Sequence, residues 1–192
     1  MSVVSTVEAW PAAGQPFTAD DLDRMPDDGR RYELLDGVLV VSPRPSTIHQ
    51  VVVTQLTGVL LAACPDDLFV VMEPAVMLSR TSEFDPDITV VRRADVGGAK
   101  FTAPPLLTVE VRSPSTAMID LTRKKAAYAA FGVPSYWIVV PNLRRPEVTV
   151  FELADGEYEQ AGHVSGDEAL RVMRPFPVEV VPARLVAGIT PR

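Results

Sequence analysis

The order of patterns in this sequence predicts an α/β domain with one mixed sheet flanked by helices. An amphipathic helix is followed by a series of short β-rich runs, then a second helix and another buried strand. The strand-like runs are almost continuously apolar, as expected of a sheet covered on both faces. With 192 residues, 47% of them hydrophobic and 22% charged, the chain can bury one such core and does not have the composition of a disordered tail.

Each element has its own signal. Residues 1–16 show no periodicity and are expected to form a loose arm before a single domain spanning 17–192. Phe17 to Met25 reads as a short helix, with Thr18 as N-cap and acidic residues in the first turn, where the helix dipole favours them. Arg31 to Val41 carries Asp36-Gly37 between apolar runs, a tight-hairpin signal, and Pro43 and Pro45 end it. From Ser46 to Ala63 the residues Ile48, Val52, Val59 and Ala63, with Leu56 and Leu60 beside them, recur at helical spacing until Pro65 closes the helix. Leu68 to Leu78, Pro86 to Arg92 and Leu106 to Val111 are β-rich runs bounded by Pro, Gly or polar clusters. A second helix is expected from Ser113 through about Phe131, with Gly132 as its stop and Pro134 beyond. Ser135 to Val140 is another buried strand, and Glu147 to Leu153 with Tyr158 to Ala161 form a hairpin turned at Asp155-Gly156. The tail from Pro175 reads as edge strand and loop.

Composition excludes several classes. The single cysteine, Cys64, allows no internal disulfide or thiolate zinc site, and two separated histidines leave no His-rich metal site. No basic region followed by an apolar stretch opens the chain, and the most apolar segment, Val51 to Cys64, is shorter than the ~20 residues of a membrane span, so a cytosolic protein is expected. P-loop, G-x-S-x-G and H-E-x-x-H signatures are all missing. The formal net charge of -7 opposes any role that depends on holding phosphates.

The informative residues are charges inside apolar patterns. Glu110 stands in the middle of LLTVEVRS, where an ionised carboxylate costs several kcal/mol unless it is paired or binds a cation. Asp87 opens ITVV directly after Pro86 and is either a turn residue or a second carboxylate of the same site. Two carboxylates on neighbouring strands are tolerable mainly around a divalent ion, and an oxygen-only set suits Mg²⁺ or Mn²⁺ better than Zn²⁺. On the second helix the stripe Ala117, Leu121, Tyr128, Phe131 includes Lys124, while Arg123 and Lys125 fall on other faces. Lys124 is therefore either a snorkelling margin residue or the cation of a buried site. Glu33, in the first strand of the Asp36-Gly37 hairpin, is grouped by alternation with Leu35, opposite Tyr32 and Leu34, and its side is open. His49, beside the apolar stripe of the first long helix, reads as a capping or core residue ahead of a catalytic one. Glu73, just before Pro74, is left outside the site.

These segments, RYELLDGVLVVSP, His49 heading a helix, PDITVV, TVEVRSPST, Asp120, Lys124 and Tyr128 at spacings of four, and FGVPSYWIVVP, together resemble the Uma2 family. That family belongs to the PD-(D/E)xK restriction-endonuclease-like superfamily, and the likeness runs from about Phe17 to Leu153. It implies a restriction-endonuclease-like core, with a central mixed sheet, two main flanking helices, and N-terminal and C-terminal hairpins. Asp87 matches the aspartate of the PD motif and Glu110 the (D/E) carboxylate, both metal ligands, and the carbonyl of Val111 completes the metal shell. The superfamily lysine falls two residues past that glutamate, where this chain has Arg112, and Lys124 takes its role by the family's D-x-x-x-K-x-x-x-Y spacing. Glu33 matches the Y-E-L motif and implies binding of a second metal or polarisation of water.

The resemblance thus implies a Mg²⁺- or Mn²⁺-dependent endonuclease that cleaves DNA by in-line attack, leaving a 5′-phosphate and a 3′-hydroxyl. The alternatives are a silent binding or structural module on the same fold and an RNA or single-strand nuclease. A homodimer is also implied, although no coiled-coil seam supports one. The charge is unevenly spread. Residues 1–33 carry 7 acids and 3 bases, residues 34–145 carry 10 and 11, and residues 146–192 carry 8 and 4. The acidity therefore lies on the flanks, and the expectation is weak, salt-sensitive DNA binding that depends on metal.

Overall fold

The computed structural model describes residues 14–112 and 120–190, with the side chains of Asp120 and Leu121 excepted. Its centre is a six-stranded mixed sheet in the order β10-β9-β8-β7-β6-β3. These strands are β3 (Leu68–Met72), β6 (Ile88–Arg92), β7 (Leu107–Val111), β8 (Ser135–Val140), β9 (Glu147–Ala154) and β10 (Glu157–Ser165). The β7–β8 pair is parallel and the others are antiparallel. A parallel pair requires a crossover, and the segment between them ends in a π-type turn at Asp120–Lys124 that runs into a short α-helix at Lys125–Phe131.

Alternation along β7 and β8 sorts the two faces. Leu107, Val109, Val111, Trp137 and Val139 point into a core covered by α2 (Thr47–Ala63) and by the chain's C-terminal part. Tyr136 and Ile138 point the other way, onto Tyr128 of α3 (Lys125–Phe131) and onto Leu35 and Phe84. Leu35 and Phe84 belong to a second sheet, β2-β1-β5-β4, formed by β1 (Arg31–Leu35), β2 (Val38–Ser42), β4 (Val76–Ser79) and β5 (Ser82–Phe84). β6, β7 and β8 are buried almost throughout, as their apolar sequences require.

Both predicted hairpin turns have the expected chemistry. Asp36 and Gly37 have φ of 49° and 78°, and Asp155 and Gly156 have 48° and 86°. Two consecutive positive φ values match the twist of the flanking strands. Gly132, at φ 91°, caps α3 with its N–H directed to the carbonyls of Tyr128 and Ala129.

Other boundaries differ from the sequence reading. The run Leu68 to Leu78 is two strands in different sheets, broken where Glu73 takes φ 49° before Pro74. The first helix, α1, is a single turn at Ala19–Leu22, because only Ala19 in it finds a buried position. Thr18 does take the N-cap position, but its side chain accepts no helix N–H; instead Asp21 Oδ2 reaches back to accept the Thr18 N–H and Oγ1 at 2.8 and 2.7 Å. On α2 the inward stripe is His49, Val52, Val53, Leu56 and Leu60, and Ala63 is exposed. β10 continues past Ala161 through a bulge between Gln160 and Gly162. The tail forms a ribbon of β11 (Leu170–Val172) and β12 (Val178–Val180) and a final turn, α4 (Pro182–Leu185). The predicted helix start at Ser113, and Ala117 of its stripe, lie outside the described residues.

Candidate functional site

β6 and β7 pair with Ile88 opposite Val109. Continuing that register by one residue brings Asp87 opposite Glu110, at the end of the sheet where α2 begins. Glu110 alternates with Val109 and Val111 and so faces α3 and the second sheet. Glu33 shares the face of Leu35, toward the same space, which resolves the side that alternation had left open. Lys124 stands at the junction of the π turn and α3, one α-helical turn before Tyr128. Asp87, Glu110, Glu33 and Lys124 are all at most 5% exposed.

Lys124 ties Glu33 to Glu110. Its Nζ donates to Glu33 Oε1 at 2.8 Å and to Glu110 Oε1 at 3.3 Å. Phe84 lies under the ammonium, 5.4 Å from ring centroid to Nζ. Tyr128 donates its hydroxyl to the same Glu110 oxygen at 3.0 Å. Glu33 Oε1 also accepts the backbone N–H of Asp85 at 3.0 Å. The snorkelling alternative for Lys124 does not describe this side chain, which is buried and bridges two carboxylates.

Asp87 is held separately. Its Oδ2 accepts the Val111 N–H at 2.7 Å and lies 3.1 Å from His49 Nε2, while Oδ1 accepts Arg31 Nη1 at 3.1 Å. Burial alone would raise this carboxyl, but the hydrogen bond and charge of His49, the Arg31 guanidinium and the Val111 amide hold it below the usual carboxylate range. Arg31 is opposed by burial too, yet Asp87, Glu33 and Glu110 keep it more firmly protonated than a free arginine. The Tyr128 hydroxyl is pushed well above its ordinary value by burial and by the charges of Glu110 and Glu33, so it is present as a donor. Asp85 is pushed up to about 7, mainly by burial and then by Glu33, against the opposing charges of Arg31 and Lys124.

The structure therefore brings Asp87, Glu110, Lys124 and Glu33 to one end of the sheet, with Val111 present through its amide. Arg112 sits at the end of β7. Its backbone N–H donates to the Val139 carbonyl at 2.8 Å, and its Nε is buried with no hydrogen-bond partner among the described residues. Three contributors were not assigned from sequence: Arg31, Asp85 and His49. Arg31 reaches Asp87 from 56 positions away, a pairing with no sequence signal. His49 had one: the buried stripe of α2 passes through it, and Ser46 Oγ accepts its N–H at 3.3 Å to start the helix there. Glu73, set aside earlier, accepts Arg31 Nη2 at 2.7 Å at the rim.

The donor chemistry can be tested against a divalent cation. No three His, Cys, Asp or Glu side chains among the described residues form a metal cage. Mg²⁺ does not require one, because it keeps several waters and takes one or two protein carboxylates. Asp87 and Glu110, oxygen donors at facing register positions, fit that sparse demand. Among the described residues charge points the same way: the carboxyls of Glu33, Asp85, Asp87 and Glu110, with Glu73 at the rim, outnumber Arg31 and Lys124, even with His49 added.

Comparison with known proteins bears on the family and the fold. Residues 19–186 match the Uma2 family, described as "Putative restriction endonuclease". A solved structure from Anabaena variabilis, described as a "putative nuclease belonging to DUF820", superposes with a TM-score of 0.71 at 18% sequence identity, covering 90% of this chain and 98% of that one. At that identity the likeness establishes the fold. No curated protein matches the chain.

Proposed function

The chain belongs to the Uma2 family, and from that premise we propose that it is a metal-dependent endonuclease hydrolysing DNA phosphodiester bonds at the Asp87–Glu110–Lys124 cluster. The observation that carries this reading is the bridging of two buried carboxylates by one buried lysine, beside a third carboxylate on the neighbouring strand. An all-structural account would have to leave an excess of carboxyls buried at a sheet end, where apolar residues would be at least as stable.

Asp87 and Glu110 would hold the cation, with Glu33 and the Val111 carbonyl adjacent. Mg²⁺ or Mn²⁺, when bound, would supply Lewis-acid activation of water and offset charge at the phosphate. The chain's own groups do the rest. Lys124, already fixed between Glu33 and Glu110, presents an ammonium to the nucleophilic water or to a phosphoryl oxygen. Tyr128 holds Glu110 in orientation, and His49 and the Val111 amide hold Asp87. In the reaction a water oxygen bonds to phosphorus, the bond to the 3′-oxygen breaks, one water proton passes to a nearby base such as Glu33, and the departing 3′-oxygen takes up a proton from solvent.

The test is cleavage of supercoiled plasmid, single-stranded DNA and RNA by the purified protein in Mg²⁺, Mn²⁺ or EDTA. Asp87→Asn, Glu110→Gln and Lys124→Met serve as comparisons. We expect DNA cleavage that EDTA abolishes and that each variant lowers by about 10²-fold or more. Preferential cutting of RNA would move the substrate while keeping the site. No cleavage by the wild type, or equal cleavage by the variants, would leave a silent module on this fold.

A further inference from the structure

Arg31 lies where the buried site meets solvent. Its guanidinium spans two carboxylates, with Nη1 3.1 Å from Asp87 Oδ1 and Nη2 2.7 Å from Glu73 Oε1. The three side chains form an exposure gradient: Asp87 at 2%, Arg31 at 20% and Glu73 at 45%. Asp87 Oδ2 is already occupied by the Val111 amide and by His49, so Oδ1 is the oxygen on which a further cation would sit. Among the described residues its one hydrogen-bond donor is Arg31.

We propose that Arg31 is an exchangeable counter-ion on Asp87, which a divalent cation must displace to reach Oδ1, with Glu73 retaining the guanidinium at the rim. This rests on the reading of Asp87 and Glu110 as a cation site and adds to it a residue that sets the affinity of that site. The physical case has three parts. A guanidinium is weakly hydrated and tolerates partial burial against a carboxylate, so it can neutralise Asp87 in the absence of metal. A divalent ion on Oδ1 would compete with the guanidinium for the same oxygen and repel it at contact distance, whereas Lys124 sits on a different carboxylate. Finally, Glu73 offers the displaced group an anionic partner without full solvation. It sits at φ 49° in the kink between β3 and β4, a backbone that presents its side chain beside Arg31 rather than along the strand. Metal binding would then be a one-for-one exchange at Oδ1, and its apparent affinity would carry the cost of removing the arginine.

Isothermal titration of the metal-free full chain with Mn²⁺ tests this without reference to cleavage. Arg31→Met keeps the apolar stem and removes the competing charge, so it is expected to bind Mn²⁺ about tenfold more tightly than wild type. Arg31→Lys, which keeps a cation, is expected to stay within a few-fold of wild type. Equal or weaker binding by a folded Arg31→Met protein would overturn the proposal. The wild type provides a second readout that does not depend on that variant's affinity. On addition of Mg²⁺, the Arg31 Nη–H resonance, assigned by its loss in Arg31→Met, should lose protection from solvent exchange. A resonance unmoved at saturating Mg²⁺ would equally overturn the proposal. Asp87→Asn separates the two ideas: if Mn²⁺ binds Asp87→Asn as well as wild type, the cation-site reading itself fails.

Discussion

Glu110 Oε1 receives two donors from one helix face, Lys124 Nζ and the Tyr128 hydroxyl. Deleting the second leaves a buried carboxylate short of a partner, and the cost of an unmet buried acceptor exceeds the net gain of an average hydrogen bond. Tyr128→Phe is therefore expected to lower stability by about 1–3 kcal/mol, read from the midpoint of a urea unfolding curve with unchanged slope. A variant as stable as wild type would mean that the other partners of Glu110 satisfy it without the hydroxyl. Lys124 was legible because it lies at i, i+4 to Tyr128 on a single helix, where local spacing fixes the shared face. Glu110 and Asp87 were legible as charges interrupting apolar strands. Arg31 and Asp85 were not, since each acquires its role from strands that meet across about fifty residues, and no short-range pattern encodes that meeting.

At the scale of elements, the tight turns were the best-encoded features, because a two-residue hairpin loop demands positive φ from both residues and only a few side chains comply. The same demand makes a comparison of two glycines informative. Gly156→Ala places a Cβ at φ 86° in open space, so backbone strain of about 1 kcal/mol is the whole effect. Gly37→Ala adds a contact of 2.5 Å from the new Cβ to Pro16 Cβ, and Phe17 N–H is bound to the Gly37 carbonyl in the same turn. Chemical denaturation should thus rank Gly37→Ala clearly below Gly156→Ala in stability, and equal losses would show that the Pro16 segment gives way freely. What the sequence concealed at this scale was the second sheet. β4 and β5 have four and three residues, too short for alternation to register, and β4 looked like the end of β3 because only one residue, Glu73, turns the chain out of the central sheet. The register of Leu34 with Glu83 then carries Glu33 over the central sheet, so the missed strands are part of what aims one of the site's carboxylates.

For the molecule as a whole, the net charge of -7 bears on a nuclease reading through where the bases are, rather than how many there are. The middle of the chain is close to neutral, but its cations are partly committed. Lys124 is held by Glu33 and Glu110 and Lys100 by Glu83 and Asp23, and Arg31, just ahead of that segment, by Asp87 and Glu73. The remaining bases are scattered, with no run longer than Arg123-Lys124-Lys125 to meet a phosphate backbone, which is the contact that supplies non-specific affinity. The double helix is therefore expected to bind weakly, with Kd near the ~10⁻⁴–10⁻⁶ M of non-specific complexes, and through a handful of phosphates. Fluorescence anisotropy of a labelled duplex with the Lys124→Met protein, which keeps both proposed metal ligands, in Mg²⁺, measures both quantities. The logarithm of affinity should fall with the logarithm of salt at a slope of about -2 to -4, where a long basic groove making six to ten contacts would fall far more steeply. A slope near zero would show that phosphates are not what the surface holds. A slope near -8 would require a continuous basic surface, which bases scattered along the chain do not predict.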